Sequence, residues 1–494
     1  MHLPYVIVVR NKKKRSVINT TFNKIFIGFF SVLILFLTAW AAYWQQTIWL
    51  FVPFVVVLVL YLVQYPKYLF YLLIASVPWS VEYNFSATLA TDFPDEPFML
   101  LTAFVAIILL IHKRKNWRQK SLHPLLFLIL IQLAWTVVTI ISSTNILISL
   151  KYLLAKSWYL LAFVAMPIYL LKSEKEIKRS AIVLSVSMLF CMCIVLIRHG
   201  QYNWTFEKVN EALHPFFRNH VNYSALLVCM VPLLIAFIKK SFSKKVKFFL
   251  IGILLITIAA LYFSYARGAW LALLTGVISY WLLKKRVLLF SFVFFFFTCF
   301  ITIFWLKGND RYLDFSPDYK STIFHTNFEE HLVATYQMKD LSTAERYYRW
   351  VAGVRMIKDS WKTGFGPNTF YDNYKSYAVP AFKTWVSKNE EHSTVHNYFL
   401  LLIIEQGVVG LLLFLLLLGY LFWYAQKIYH RTQDGFCRTT VATIAAILTM
   451  ICTVIFLSDL IETDKVGSVF YLCIATLIVA DINTRKQTEI SCSE

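Results

Sequence analysis

Long apolar runs recur along the chain, separated by short polar clusters; Phe248 to Ser264, Val287 to Leu306 and Leu411 to Phe422 are examples. A run of about 17 to 25 apolar residues crosses a bilayer as a helix. The pattern predicts about fourteen spans, within a range of twelve to fourteen, from near Lys24 to near Asp481, the weakest running from Lys67 to Ser80. A β-barrel would instead need short strands of alternating polarity, and these runs do not alternate. The expected fold is therefore all-α: a polytopic integral membrane protein with 12 to 14 transmembrane helices. One long polar stretch divides it into a transmembrane helix bundle at 1–306, a large and mostly helical outer loop at 307–395, and further transmembrane helices at 396–494.

Composition agrees with that reading, since 59% of residues are hydrophobic and only 15% charged. The net charge of +21 raises nucleic acid as a partner, but the position of the charge argues against it. Lysine and arginine cluster between apolar runs at Lys12 to Arg15, Lys113 to Lys120, Lys172 to Arg179, Lys239 to Lys247, Lys284 to Arg286 and Lys427 to Arg438. Such clusters anchor cytoplasmic loops and place both termini on that side. The intervening segments are less basic or acidic, as in Glu82 to Glu96. The first apolar run is long and shows no small-residue cleavage site, so it is expected to stay as an anchor. Six of the eight cysteines fall in predicted spans and none in the large loop, which excludes a disulfide staple or a cysteine metal site there.

Three outer segments carry arginines that topology alone does not require. Arg267, in Tyr265-Ala266-Arg267-Gly268-Ala269-Trp270, sits in a short break between two spans, as a snorkelling anchor or as an anion ligand. Arg218, in Pro215-Phe216-Phe217-Arg218-Asn219-His220-Val221-Asn222, precedes a span whose helix amino terminus favours an anion. The bland reading of that segment is an interfacial loop with aromatic residues.

In the large loop, Ser342-Thr343-Ala344-Glu345 reads as a capping box, and Trp350, Val354, Ile357 and Trp361 follow along one helical face. Arg346 lies one turn before Trp350, so it is expected to face the protein or bilayer and to require an anionic partner. Arg349 and Arg355 are expected to be solvated or salt-bridged. Gly364-Phe365-Gly366-Pro367 is the expected stop of this helix.

His396-Asn397 opens the next apolar run. A helix amino terminus disfavours imidazolium and so keeps the proton-accepting form of His396 populated, as a general base requires. His392 lies one turn earlier beside Glu391, but no persuasive third metal ligand accompanies them. Glu405 is a carboxylate within an apolar run, open to a role beside the site, and Gly407 and Gly410 suggest close helix packing.

Taken together, His396-Asn397 followed after nine intervening residues by Gly407-Val408-Val409-Gly410, Arg346 followed after three intervening residues by Trp350, the Gly364-Phe365-Gly366 turn and Arg267-Gly268 resemble the O-antigen ligase and O-antigen polymerase superfamily of bacterial membrane glycosyltransferases. The resemblance covers roughly Ala260 to Leu415; Ala266 stands where a serine is usual. It implies a metal-independent inverting transfer, without cofactor, of a glycan from an undecaprenyl diphosphate carrier to an acceptor hydroxyl at the periplasmic face of the bacterial inner membrane. His396 would be the base, with Arg267, Arg346 and Arg218 on the diphosphate and Asn397, His392, Glu405, Gly407 and Gly410 in support. The acceptor favoured by the histidine pattern is the lipid A core; a growing carrier-linked polysaccharide or a protein hydroxyl is the alternative within the family. A lipid-linked sugar transporter is the reading from another class, disfavoured because the chemistry-bearing charges lie at one face and no internal repeat is visible.

Overall fold

The computed structural model describes residues 32, 34–86, 89–112, 123–308, 311, 314, 341–380, 387, 389 and 393–493. They fall into two compact units, residues 1–69 and 70–494. The first unit contains the apolar helices α1 (Ile34–Trp44) and α2 (Val52–Gln64), and α3 (Pro66–Ser76) runs across the boundary.

In the second unit, a hairpin of β1 (Val81–Ser86) and β2 (Leu89–Phe93) pairs antiparallel, with Glu82 opposite Asp92. Sequence reading treated this acidic stretch only as a loop. The helices that follow are α4 (Asp95–His112), α5 (Pro124–Ile141), α6 (Ile146–Leu170), α7 (Glu174–Gln201), α8 (His220–Lys240), α9 (Lys244–Phe263), α10 (Arg267–Lys284) and α11 (Leu288–Lys307). The loop helix α12 (Leu341–Asp359) comes next, then α13 (Tyr398–Arg431), α14 (Gly435–Phe456) and α15 (Asp464–Ser493).

Among the described residues, ten helices are long and apolar enough to cross a membrane, or eleven if the two short helices on either side of Tyr65 form one span. The protein is an all-α polytopic membrane protein. Helix α10 falls outside that count because Arg267 and Lys284 close its two ends, which lowers its apolarity. The cap chemistry is local and strong. Asn145, Asn219, Asp434 and Asn397 each accept backbone N–H groups at the starts of α6, α8, α14 and α13. A capping box forms at Ser173 and Glu176 on α7. The one expected at Ser342 to Glu345 does not hold: these residues already lie inside α12, and Glu345 points into the protein.

Two further expectations about the loop change. Helix α12 ends at Asp359, ahead of the Gly364-Phe365-Gly366-Pro367 segment. Its buried stripe is also turned away from the predicted one. Ala344, Glu345, Tyr348, Arg349, Ala352 and Met356 are buried, whereas Val354 and Trp361 are 42% and 51% exposed. Next to this stripe Gly353 lies against Ile404 and Leu400 of α13, so a residue without a side chain lets α12 approach that helix closely.

Candidate functional site

Residues 393–397 form the link between the loop and α13, and three elements hold them. From α12, Trp350 donates its indole N–H to the Val395 carbonyl at 2.9 Å, and Arg349 donates to the Thr394 carbonyl at 3.3 Å. From the turn after α14, the Phe456 carbonyl accepts from the Asn397 amide at 3.0 Å, and the Ser458 carbonyl accepts from the Tyr398 N–H at 3.1 Å. Asn397 simultaneously caps α13 by accepting from the Leu400 N–H at 2.9 Å. His396 occupies the left-handed region with φ 53°. Histidine tolerates that region better than most residues, and the bend turns the chain from the loop into the helix.

The His396 ring has 31% of its side-chain surface open, and its Nδ1 stands 4.0 Å from Asp459 Oδ1. Burial in this packed crevice, and then the charges of Arg346 and Arg349, lower its pKa from 6.5 to about 3. Its neutral form therefore dominates at neutral pH. Burial conversely raises the Asp459 carboxyl above its ordinary value, against an opposing hydrogen bond from Thr394.

The arginines divide. Both Arg346 and Arg349 bear on His396, but it is Arg349 that is buried, paired at 3.2 Å with an equally buried Glu345, whose other oxygen accepts from Ser387 at 2.6 Å. Arg346 is half-buried. Arg349 thus takes the salt-bridged of the two settings expected for it, and it is the more buried arginine because the buried stripe of α12 runs through 345, 349, 352 and 356. Arg267 is the first residue of α10, with Nη1 buried, and the neighbouring Gly268 abuts Leu457. The start of α10 and the His396 link consequently meet the same turn, 456–459. Arg218 has a different setting: it is 71% exposed and pairs at 2.8 Å with Glu82 of β1. The amino terminus of α8 beside it is already satisfied by Asn219, which accepts from Val221 and Asn222. Arg218 is thus engaged by the hairpin, and the candidate anion site is built on Arg267 and Arg346.

Glu405 is buried within α13. Its carboxylate accepts from the Asn368 and Phe370 N–H groups at 2.8 and 3.1 Å, fastening the end of the loop to α13. Just beyond it α13 breaks at Gly407, where φ is 69° and a Cβ would lie 2.0 Å from the Lys362 carbonyl oxygen. Only glycine fits there, since the backbone is left-handed and another backbone occupies the side-chain position. The freed groups find partners in the loop: Val408 donates to the Trp361 carbonyl, while the Ile404 and Glu405 carbonyls accept from Phe365 and Gly366. Gly407 thus serves a helix break that receives the loop, whereas Gly410 meets Gln406 and Trp135 in close packing. His392 lies outside the described residues.

Sequence reading missed Asp459, the Glu345 partner of Arg349, and a half-buried ion pair made by the same acidic turn. Lys156 of α6 donates to both oxygens of Glu462 at 3.0 Å, and Tyr152 donates to the same carboxylate at 3.1 Å. Two signals were present: a lysine inside an apolar run, and the acidic turn Ser458-Asp459-Leu460-Ile461-Glu462 between two spans.

Residues 252–415, about a third of the chain, match a family model described as O-Antigen ligase. Arg267, Arg346, His396, Glu405, Gly407 and Gly410 fall within the matched segment, and Arg218 falls outside it. A search of curated proteins gives no match.

Proposed function

We propose that this membrane protein, whose residues 252–415 match the O-antigen ligase family model, transfers a glycan from undecaprenyl diphosphate to an acceptor hydroxyl at the periplasmic face of the bacterial inner membrane. The observation that carries the reading is the setting of His396: an accessible, neutral imidazole at the head of a membrane helix, with two arginines above it and a carboxylate at its Nδ1 side.

In this reading the acceptor oxygen attacks the anomeric carbon as the bond from that carbon to the phosphate oxygen breaks. The electron pair leaves with undecaprenyl diphosphate, and the acceptor proton passes to His396 Nε2. Arg346 and Arg267 meet the diphosphate with charge-assisted hydrogen bonds, whose planar fork suits phosphate oxygens. Their attraction grows as charge develops on the leaving group, which is where catalysis is gained. Diphosphate also offsets the arginine charge that depresses His396, so the base becomes stronger once the donor is in place. Asp459 then steadies the imidazolium. No step calls for a nucleotide, because the carrier lipid supplies the activated bond.

The acceptor favoured here is the lipid A core, as a ligase requires. Glu405 was the one residue that suited a transporter, and its engagement by two backbone N–H groups weighs against that reading. The test is the surface-glycan ladder of a strain lacking the gene, beside wild type and a His396→Ala complement. Bare core with accumulating carrier-linked polymer supports the ligase. Core bearing one repeat unit makes the protein a polymerase, and an unchanged ladder transfers the acceptor to protein or another envelope polysaccharide.

A further inference from the structure

At the far end of α13 from His396, the turn between α10 and α11 meets the last two turns of α13 around a cavity of about 350 Å³. It is lined by Arg286, Trp423, Gln426, Lys427, His430 and Arg431, with no carboxylate among them. The polar side chains are held in set orientations. His430 donates from Nε2 to the Leu283 carbonyl at 2.9 Å, which leaves Nδ1 for the cavity. Gln426 accepts the Leu288 N–H at 3.1 Å, leaving its amide NH₂ as a donor. That bond also brings the amino terminus of the 20-residue α11, a positive dipole end, to the cavity. Lys427 lies 4.5 Å from the Trp423 ring centroid.

Another basic cluster lacks this character: near Lys240, Glu174 and Asp434 share a hydrogen bond and supply compensating carboxylates. Beside the Arg286 cavity the surface is apolar. Helices α11 and α13 pack through Phe292 and Phe422, and each exposes large apolar side chains along the membrane, Phe290 and Phe294 on one and Leu412 and Leu416 on the other. A cation-lined cavity where an apolar flank ends matches the two halves of a phospholipid.

We propose that this cavity binds the phosphate headgroup of an anionic membrane phospholipid, with the acyl chains lying along α11 and α13. A free phosphate would use the same cations but would gain nothing from the apolar flank.

The test uses the full-length protein, delipidated in detergent and titrated by native mass spectrometry with phosphatidylglycerol and with phosphatidylcholine. Wild type should retain phosphatidylglycerol preferentially. Arg286→Gln, Lys427→Gln and Arg431→Gln should each weaken it by about fivefold, the worth of one cation near an anionic headgroup. The charge-retaining pair Arg286→Lys and Arg431→Lys should keep binding, which separates loss of charge from loss of fold. Equal affinity for the two lipids, or unchanged binding in the glutamine variants at unchanged melting temperature, would overturn the proposal. So would displacement of the lipid by millimolar inorganic phosphate, since the cavity would then belong to a soluble anion.

Discussion

The junctions that open α8 and α13 look alike in sequence and differ in structure. Each places a polar segment before an apolar helix, each caps that helix with an asparagine, and each has an arginine paired with a glutamate nearby. At α8 the pair is Arg218–Glu82, with the arginine 71% exposed; at α13 it is Arg349–Glu345, with both side chains 7% exposed. The caps do the same local work in both places. The second junction has the 19-residue α12 bonded to it and the acidic 456–459 turn beside it, so that an imidazole there feels two arginines and stands next to a carboxylate. A motif of polar residues at a helix start thus marks a cap, and a functional site arises when other elements close around it.

The largest expected effect separates the two junctions directly. His396→Ala should lower glycan transfer by roughly two to four orders of magnitude, the usual worth of a general base, while Arg218→Ala should leave it within a few-fold. Equal losses in a reconstituted transfer assay would return Arg218 to the site.

Stability should divide the pairs next. Glu345→Ala leaves Arg349 buried without its carboxylate and is expected to cost about 3–5 kcal/mol; Glu82→Ala breaks an exposed pair worth about 1 kcal/mol or less. Unfolding of the full chain in detergent checks both, and similar costs would mean that the roof over His396 is open.

The caps should bring the junctions together again. Asn219→Ala and Asn397→Ala are each expected to cost about 1 kcal/mol in that measurement. Asn397→Ala alone should also depress transfer, because it releases the Phe456 carbonyl that fixes the position of His396.

The finest distinction is in pH. Since His396 titrates near 3 in the folded protein, against about 6.5 in the unfolded chain, the unfolded state binds more protons between those values. Its contribution to stability is therefore intact above pH 6.5 and lost as pH falls towards 3. For the same reason, kcat/KM of wild type should show no histidine limb between pH 7 and 5, the free protein holding the base neutral throughout. Arg346→Gln removes one of the depressing charges and should move the acid limb upward, towards 6.5. A limb already near 6.5 in wild type would mean that the ring is neither buried nor within the influence of the arginines.

Much of this was legible along the chain. The apolar runs show the helices, and the family-like spacing singles out Arg267, Arg346 and His396, three candidate residues that lie near the 393–398 link or the 456–459 turn it rests on. The rotation of α12 was not legible. Periodicity relates Arg346 to Trp350 and Arg349 to Glu345 equally well, and says nothing of which stripe meets α13. Glu405 and Gly407 were visible as unusual residues in an apolar run, but their task depends on a loop segment, Trp361 to Phe370, that reaches them only after folding.

By itself the sequence determined the all-α polytopic membrane class and the histidine at the head of α13, because those follow from apolar length and from the place where an apolar run begins. The tertiary structure alone decided that Arg349 is the buried arginine, that Arg218 turns to Glu82, and that Asp459 stands beside His396. These depend on burial and charge between elements distant in the chain, and such energies exist only once the helices have packed.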